Sequence, residues 1–453
     1  MKFYSKLWKY VKKSLLKHYD QKLVDDKIII SYSEIIKMVN DYSFIVESEK
    51  SCVILCDSQL MEGIAMLTCI YAGVTAIPAS VNYGIQHYTN IVETIKPTAI
   101  IKNDGKKLYK IKTGLNYAIP PKKTALIMCT SGTSGKPKGV MLSEKNILVN
   151  LKSILNYFKI TSNDTILIYR SLCHIAVFTG EFLTSIMKGV KVIFYSKRFM
   201  PCLIHSIIDK ERISVLCGTP SIFELMLRTK HSMPLRVICV SGEPLSLSLA
   251  NKLANHYQSS EIYHVYGLTE AAPRVSYLPP ELFDSHGTSV GKPVRYVSIK
   301  ILKEDGSRAA TGEYGILYIK GKNIMIGYYN DFCLTKLKFH KKWFSTGDIA
   351  WIDEFGLLNI KGRKDNMIIR AGLNIYPLDI ENRILKDERV NLCRVYSYKD
   401  SFDITQIGLN ISGKFNDIED VRNLCKEILY SYEMPRKITI IDKTNLNEFG
   451  KIH

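Results

Sequence analysis

The chain has 453 residues, 46% hydrophobic and 23% charged, the balance of a soluble globular protein with room for two or three domains and no need of covalent stapling. Lysine and arginine outnumber aspartate and glutamate by 62 to 43, giving a net charge of +19, but the lysines are scattered and no nucleic-acid-binding motif accompanies them. The eleven cysteines form no CxxC pair and no Cys/His set at zinc spacing, and their odd number argues against a closed disulfide framework, so they read as small apolar residues of a reducing, cytoplasmic compartment.

Along the chain, the first 19 residues place Tyr4, Leu7, Trp8, Val11 and Leu15 at helical spacing among lysines. This stretch lacks the continuous apolar core of a signal peptide. It is expected to be a helix packed on its own domain or, alternatively, one that touches a membrane or an acidic partner. Gly63–Val81 carries no charge, yet Gly73 and Pro78 interrupt it. The pattern predicts helix, glycine stop and a short buried strand over Val74–Ala79 rather than a transmembrane segment. Apolar runs at Val53–Cys56, Ala99–Lys102, Leu126–Cys129, Thr165–Tyr169, Lys191–Tyr195, Val215–Cys217 and Arg236–Val240 read as buried strands. Helical patterns at Ile147–Phe158, Glu181–Lys188 and Leu247–Tyr257 lie between them, an alternation that predicts α/β layers with mostly parallel sheets. After about Gly287, strands at Val297–Leu302, Gly315–Lys320 and Leu357–Lys361 are separated by turn residues, as in an antiparallel sheet or barrel. From Gly362 onward a small unit follows, with strands at Val395–Tyr398, Gln406–Ile411 and Lys437–Ile441 and a helix at Ile418–Tyr430. The expected fold class is therefore α/β: a large N-terminal domain, residues 1–361, of layered α/β subdomains plus a β-rich part, then a small α+β domain, residues 362–453.

The strand at Leu126 runs into Thr130-Ser131-Gly132-Thr133-Ser134-Gly135-Lys136-Pro137-Lys138-Gly139. Glycines let backbone N–H groups converge on an anion, and hydroxyls and lysines add donors and charge, so the loop is suited to phosphate. It is not a Walker A loop, because Pro137 stands where a serine or threonine would bind magnesium. Downstream, Tyr266-Gly267-Leu268-Thr269-Glu270 sets a hydroxyl beside a carboxylate, a pair able to hold a phosphoryl oxygen and a hard cation. In Trp343-Phe344-Ser345-Thr346-Gly347-Asp348 an aspartate at a strand end can accept hydrogen bonds from both hydroxyls of a ribose. A fourth segment, Gly362-Arg363-Lys364-Asp365 continuing to Glu381, falls on the domain boundary, and a closing Gly450-Lys451-Ile452 would by itself read as a disordered tail.

These five motifs, in this order, resemble the adenylate-forming superfamily: acyl- and aryl-CoA synthetases, nonribosomal-peptide adenylation domains and luciferases. The resemblance extends from about Thr124 to His453 and is weaker upstream. It implies ATP and Mg²⁺ as cofactors. In the family the first loop holds the ATP β- and γ-phosphates, a role that maps to Thr130, Ser131, Gly132, Thr133, Ser134, Gly135 and Lys138. Gly242, Glu243 and Pro244 match the segment lining the adenine pocket, and Tyr266, followed by Gly267, matches the aromatic residue that stacks on adenine. Thr269 matches the α-phosphate contact, Glu270 the Mg²⁺ ligand, Asp348 the ribose ligand and Arg363 a nucleotide contact. Asp365 matches the hinge about which the small domain rotates. Gly372 matches the glycine of the thiol tunnel, where Ala371 replaces the first of the usual two glycines. Lys451 matches the catalytic lysine that bridges the acyl carboxylate and the α-phosphate.

The acid pocket is assigned by the same resemblance to His174 as its gate, with Ile175 and Arg274. Amino-acid-activating members carry an aspartate immediately after the gate, and Ile175 gives a substrate ammonium no counter-charge. The resemblance thus implies a carboxylic acid–AMP ligase for an aryl or fatty acid without an α-amino group, which forms an acyl-adenylate and then a thioester on CoA or on an acyl or aryl carrier protein. An amino-acid-activating enzyme and a non-catalytic adenylate-binding protein are the alternatives. Arg274 meets a polar group of the substrate or a phosphate, or else makes a structural salt bridge.

Overall fold

The computed structural model describes residues 5–26, 28–114, 120–121, 123–130, 137–197, 199–229, 234–370, 373–401 and 405–441. Counts and absences below refer to these residues. Ser131–Lys136, Ala371, Gly372 and Lys451 lie outside them, so the phosphate loop, thiol-tunnel and catalytic-lysine assignments rest on the sequence.

The first helix, Lys6–Lys17, begins at Ser5, whose Oγ accepts from the Trp8 N–H at 3.0 Å. Its apolar face, Leu7, Trp8, Val11 and Leu15, is buried in the main core, and Ser14 Oγ donates to Ile186 O at 3.0 Å. The basic N-terminal helix is therefore a packed element of the domain, and its apolar stripe is not available to a membrane. The uncharged stretch after it resolves as helix Gln59–Ala72, ended by Gly73 in the left-handed conformation (φ +72°), then strand Thr75–Pro78. No helix among the described residues is long and apolar enough to cross a membrane.

Two large sheets form the layers. The nine-stranded sheet runs in the order Lys292–Pro293, Arg274–Leu278, Glu261–Gly267, Val237–Ser241, Val215–Gly218, Thr165–Ile168, Lys191–Phe194, Lys22–Asp25 and Ile28–Ser31. Its six central strands are parallel and the flanking ones antiparallel. The seven-stranded sheet carries parallel Ala99–Asp104, Ser51–Ile54, Thr75–Pro78 and Thr124–Thr130, with antiparallel Lys107–Lys112 at one edge and Lys138–Ser143 and Gly327–Tyr328 at the other. Helices between the sheets share one hydrophobic core with both of them. The central strands have apolar residues on both faces, as expected for parallel sheets covered by helices.

Beyond Gly287 the antiparallel texture is a five-stranded sheet built on Val297–Leu302, Gly315–Gly321 and Trp343–Ile352, to which Leu358–Arg363 pairs. From Ile368 to Ile440 a separate hydrophobic cluster packs helices Pro377–Ile384 and Ile418–Ile428 against a three-stranded sheet of Val390–Lys399, Thr405–Gly413 and Lys437–Ile440. Lys361 reaches this unit through an ion pair to Asp379 at 2.7 Å, and Arg228 Nη2 donates to Asn391 O at 2.8 Å.

Candidate active site

Gly242, Glu243, Tyr266 and Gly267 lie at the carboxyl ends of parallel strands of the nine-stranded sheet, where crevices of open α/β sheets bind ligands. Strand Glu261–Gly267 ends at Tyr266 and Gly267, and Thr269–Ala271 makes a single 3-10 turn after it. Gly267 sits so close to the returning strand that a Cβ would meet Pro273 O at 2.3 Å, so no side chain fits there. One strand over, Val237–Ser241 ends at Gly242, whose φ of +91° turns the chain toward Glu243 and Pro244. The Glu243 carboxylate faces back into the fold: its Oε2 accepts from Ser221 Oγ at 2.6 Å and Ser221 N at 3.1 Å, near the start of helix Pro220–Leu227. It thus ties the turn after strand Val237–Ser241 to helix Pro220–Leu227.

The Tyr266 phenol donates to Asp348 Oδ2. Asp348 comes from strand Trp343–Ile352, after Gly347 (φ +79°), and its own N–H donates to Thr346 Oγ1 at 3.0 Å. Asp348 is 7% exposed. Burial raises its carboxyl above the ordinary range, opposed by Arg363 and by the Tyr266 hydrogen bond. Arg363 Nε stands 3.6 Å from Asp348 Oδ1 and its Nη2 stands 3.5 Å from Asp365 Oδ2, both on the exposed side of the site. Tyr266, Asp348, Arg363 and Asp365 therefore form one connected line from the sheet to the start of the small unit.

Glu270 has a partner that sequence reasoning missed. Tyr328 Oη donates to Glu270 Oε1 at 2.7 Å. Met325 N also donates to Glu270 O at 2.8 Å, and Gly327–Tyr328 adds itself to the edge of strand Lys138–Ser143. Burial and the neighbouring carboxylate raise the Tyr328 phenol, which holds it as a donor. Glu270 offers hard oxygen donors with one hydrogen bond among the described residues, a set that fits a magnesium ion.

The hairpin that carries the phosphate loop is described on both sides. Thr124–Thr130 pairs with Lys138–Ser143, and Thr130 faces Lys138 at its mouth. Lys138 and Gly139 are thus strand residues, not loop residues. Gly139 is needed for packing: a Cβ there would meet Ile127 Cγ2 at 2.8 Å and Tyr329 Cβ at 3.1 Å.

His174 caps the helical segment that starts at Ile175, and its Nε2 lies 2.7 Å from Tyr83 Oη. Tyr83 is contributed by a short 3-10 turn, Val81–Tyr83, 91 residues earlier in the chain. Ile175 is buried. Between Phe178 and Leu183 the helix widens to a π turn, a form frequent at functional sites. Arg274, on strand Arg274–Leu278, is held through its backbone: Asn150 Oδ1 accepts from its N–H at 3.0 Å and Asn150 Nδ2 donates to its carbonyl at 2.8 Å. Its guanidinium is buried beside Gly180 of the π turn.

Known proteins resemble the chain in sequence and in fold. The family model for AMP-binding enzymes matches residues 17–329. The chain belongs to the AMP-binding enzyme family. That match begins far upstream of Thr124, where the motif resemblance thinned. The chain is 27% identical over 370 residues to 2-succinylbenzoate–CoA ligase of Bacillus subtilis, covering 81% of this chain and 74% of that one. It is 28% identical over 336 residues to feruloyl-CoA synthase of an Amycolatopsis species, covering 72% and 68%. Among solved structures, o-succinylbenzoate CoA synthetase from Bacillus subtilis in complex with its acyl-adenylate intermediate superposes with a TM-score of 0.83 at 22% identity, covering 98% and 96%, and shows the shared fold. The chain is an acid–thiol ligase of the acyl-/aryl-CoA synthetase type.

Proposed function

We propose that the protein activates a carboxylic acid lacking an α-amino group as its acyl-adenylate and passes the acyl group to the thiol of CoA. The observation that carries this reading is the convergence of Tyr266, Asp348 and Arg363 beside Glu270 and Tyr328. Asp348, buried beside Arg363, would receive the ribose hydroxyls, with Tyr266 along the adenine and Arg363 on the nucleotide. Glu270 would hold the magnesium ion, which, when bound, neutralises phosphate charge. Thr130 and Lys138, with Ser131, Gly132, Thr133, Ser134 and Gly135 of the loop between them, would hold the β- and γ-phosphates, and Thr269 the α-phosphate.

A carboxylate oxygen of the acid attacks the α-phosphorus, forming the acyl–O–P bond and breaking the bond to pyrophosphate. Lys451 stabilises the negative charge that builds on both reactants. In the second step the thiol attacks the acyl carbon, its proton is lost, and AMP departs with the bridging oxygen. Residues 1–361 form the nucleotide- and acid-binding domain in this account, and residues 362–453 the small domain. The small domain turns about Asp365 to withdraw Lys451 and bring Gly372 beside the thiol. Such gating separates two reactions at one site. CoA is favoured over a carrier protein because the relatives named above are CoA ligases. Ile175 stands against an α-amino acid, since a buried ammonium there would lack a counter-charge.

The test is acid-dependent exchange of labelled pyrophosphate into ATP over a panel of aliphatic, aryl and amino acids, followed by mass spectrometry of the product with CoA. Exchange with acids lacking an α-amino group and formation of an acyl-CoA are expected. Strong exchange confined to α-amino acids would overturn the substrate assignment.

A further inference from the structure

The helical segment that follows His174 shares a buried charged cluster with the strands beside it, and the two-step reaction leaves that cluster without a task. Arg170, at the end of strand Thr165–Ile168, is 7% exposed, Glu181 of the π turn 1% and Arg274 3%. Arg170 Nη2 and Glu181 Oε1 are 2.5 Å apart, so one carboxylate is committed to one guanidinium. Arg274 has no carboxylate in hydrogen-bonding contact among the described residues. Its Nη2 reaches the Cys239 thiol at 4.0 Å, the Tyr157 phenol and Cys217 thiol are further neighbours, the Glu181 carboxylate acts on it through space without a hydrogen bond, and its Nε has no partner. Arg170 Nε, Glu181 Oε2, Thr179 Oγ1 and Ser276 Oγ are likewise buried without partners. Two guanidiniums against one carboxylate leave the cluster one positive charge in excess, in a setting where an unpaired charge is costly.

The position of the excess charge matters. Arg274 follows Glu270 by four residues, and its Cα pairs with Gly267 at the end of the strand that carries Tyr266. On the other side, a Cβ on Gly180 would lie 3.0 Å from Arg274 Nη2, so the guanidinium lies against the helical segment that begins at the His174 gate. It is therefore framed by the two segments between which an acid bound at Thr269 and His174 must extend. Asn150 pins the Arg274 backbone, so the side chain is presented from a fixed base.

We propose that the acid this enzyme activates carries a second anionic group, a carboxylate, at the end remote from the one adenylated, and that Arg274 receives it. The Arg170–Glu181 pair is a positioning element that commits the Glu181 hydrogen bond to Arg170 and leaves Arg274 without a carboxylate in direct contact. The inference rests on the ligase reading above and narrows its substrate class to dicarboxylic acids, aliphatic or aryl. A monocarboxylic acid of the same length would leave Arg274 buried and unpaired in the complex. Sites built around a buried polar group reject such analogues strongly.

The experiment measures pyrophosphate exchange by the full-length enzyme with matched trios: a dicarboxylic acid, its monomethyl half-ester and the monocarboxylic acid of equal length, in straight-chain and aryl series. In the best series kcat/KM for the diacid should exceed that for the half-ester and the monoacid by roughly 100-fold or more. Arg274→Met should bring the ratio close to one, mainly through a raised KM for the diacid, and Arg274→Lys should restore part of it. Monoacids or half-esters used as well as diacids by the wild-type enzyme would overturn the proposal while leaving the ligase reading intact. An equal loss on all three acids in Arg274→Met would overturn it too. Exchange with no acid of any kind would instead sink the ligase reading. If Arg274→Met does not fold, the wild-type comparison of diacid with half-ester decides, since the half-ester keeps the length and removes only the charge.

Discussion

Replacing Asp348 with asparagine should separate stability from nucleotide binding, and in opposite directions. The carboxylate is 7% exposed, and burial is the largest influence on it, raising its pKa. In the nucleotide-free protein its charge is therefore a net cost. Its ion pair with Arg363 is loose at 3.6 Å and its partner is 44% exposed, so that contact returns little, about 0–1 kcal/mol. Asparagine keeps the shape and can still accept from Tyr266 through Oδ1. The variant should match or slightly exceed wild-type stability in urea. In the complex the balance reverses, because hydrogen bonds from ribose hydroxyls to a carboxylate are charge-assisted, each worth roughly 1.5–3 kcal/mol. Losing that assistance on one or two bonds raises KM for ATP by about 10–100-fold, with a smaller effect on KM for the acid. Steady-state adenylation kinetics at varied ATP, beside equilibrium urea unfolding, make the test. A destabilised protein with unchanged KM for ATP would refute the role assigned to Asp348.

Other consequences follow from single contacts. Lys451→Ala should lower adenylate formation by about 10²–10³-fold while thioester formation from preformed acyl-adenylate survives; equal loss of both steps, read in single-turnover assays, would contradict its role. Asp365→Pro, which stiffens the link, should impair thioester formation more than pyrophosphate exchange. Tyr83→Phe removes the hydroxyl that meets His174 Nε2 at 2.7 Å, and should raise KM for the acid about 3–10-fold with KM for ATP unchanged. His264 is buried on Gly287 O at 2.9 Å, and burial lowers its pKa to about 4. The unfolded chain, with the ordinary histidine value near 6.5, then binds more protons between those two values. Stability contributed by this residue is full above about pH 6.5 and falls as pH drops toward 4, by about 3 kcal/mol in total. Urea midpoints across that range should show the loss, and His264→Gln should flatten it.

The strand and helix pattern was legible because the parallel strands are apolar on both faces and end in glycine or polar turn residues. Gly73 marked its helix stop, since glycine takes the left-handed turn there without the steric cost of a Cβ. What could not be read was who meets whom across long separations. Tyr328 lies 58 residues from Glu270 and Tyr83 lies 91 from His174, and neither tyrosine stands in a motif. Gly139 looked like part of a phosphate-binding turn, yet it is a strand residue kept small by Ile127 and Tyr329, neighbours that only the folded sheet supplies. The π turn at Phe178–Leu183 leaves no mark in hydrophobic spacing, and Arg274 could not be weighed until its near neighbours proved to be a thiol and a phenol rather than a hydrogen-bonded carboxylate.

The central claim is that the acid passes through an acyl-adenylate, and the fate of the carboxylate oxygen tests it most directly. The full-length enzyme is incubated with ATP, Mg²⁺, CoA and an acid whose activated carboxylate is labelled with ¹⁸O, and the products are weighed by mass spectrometry. Attack on the α-phosphorus predicts one labelled oxygen in each AMP released and none in pyrophosphate. Label in inorganic phosphate or pyrophosphate, or thioester formed with unlabelled AMP, would contradict it.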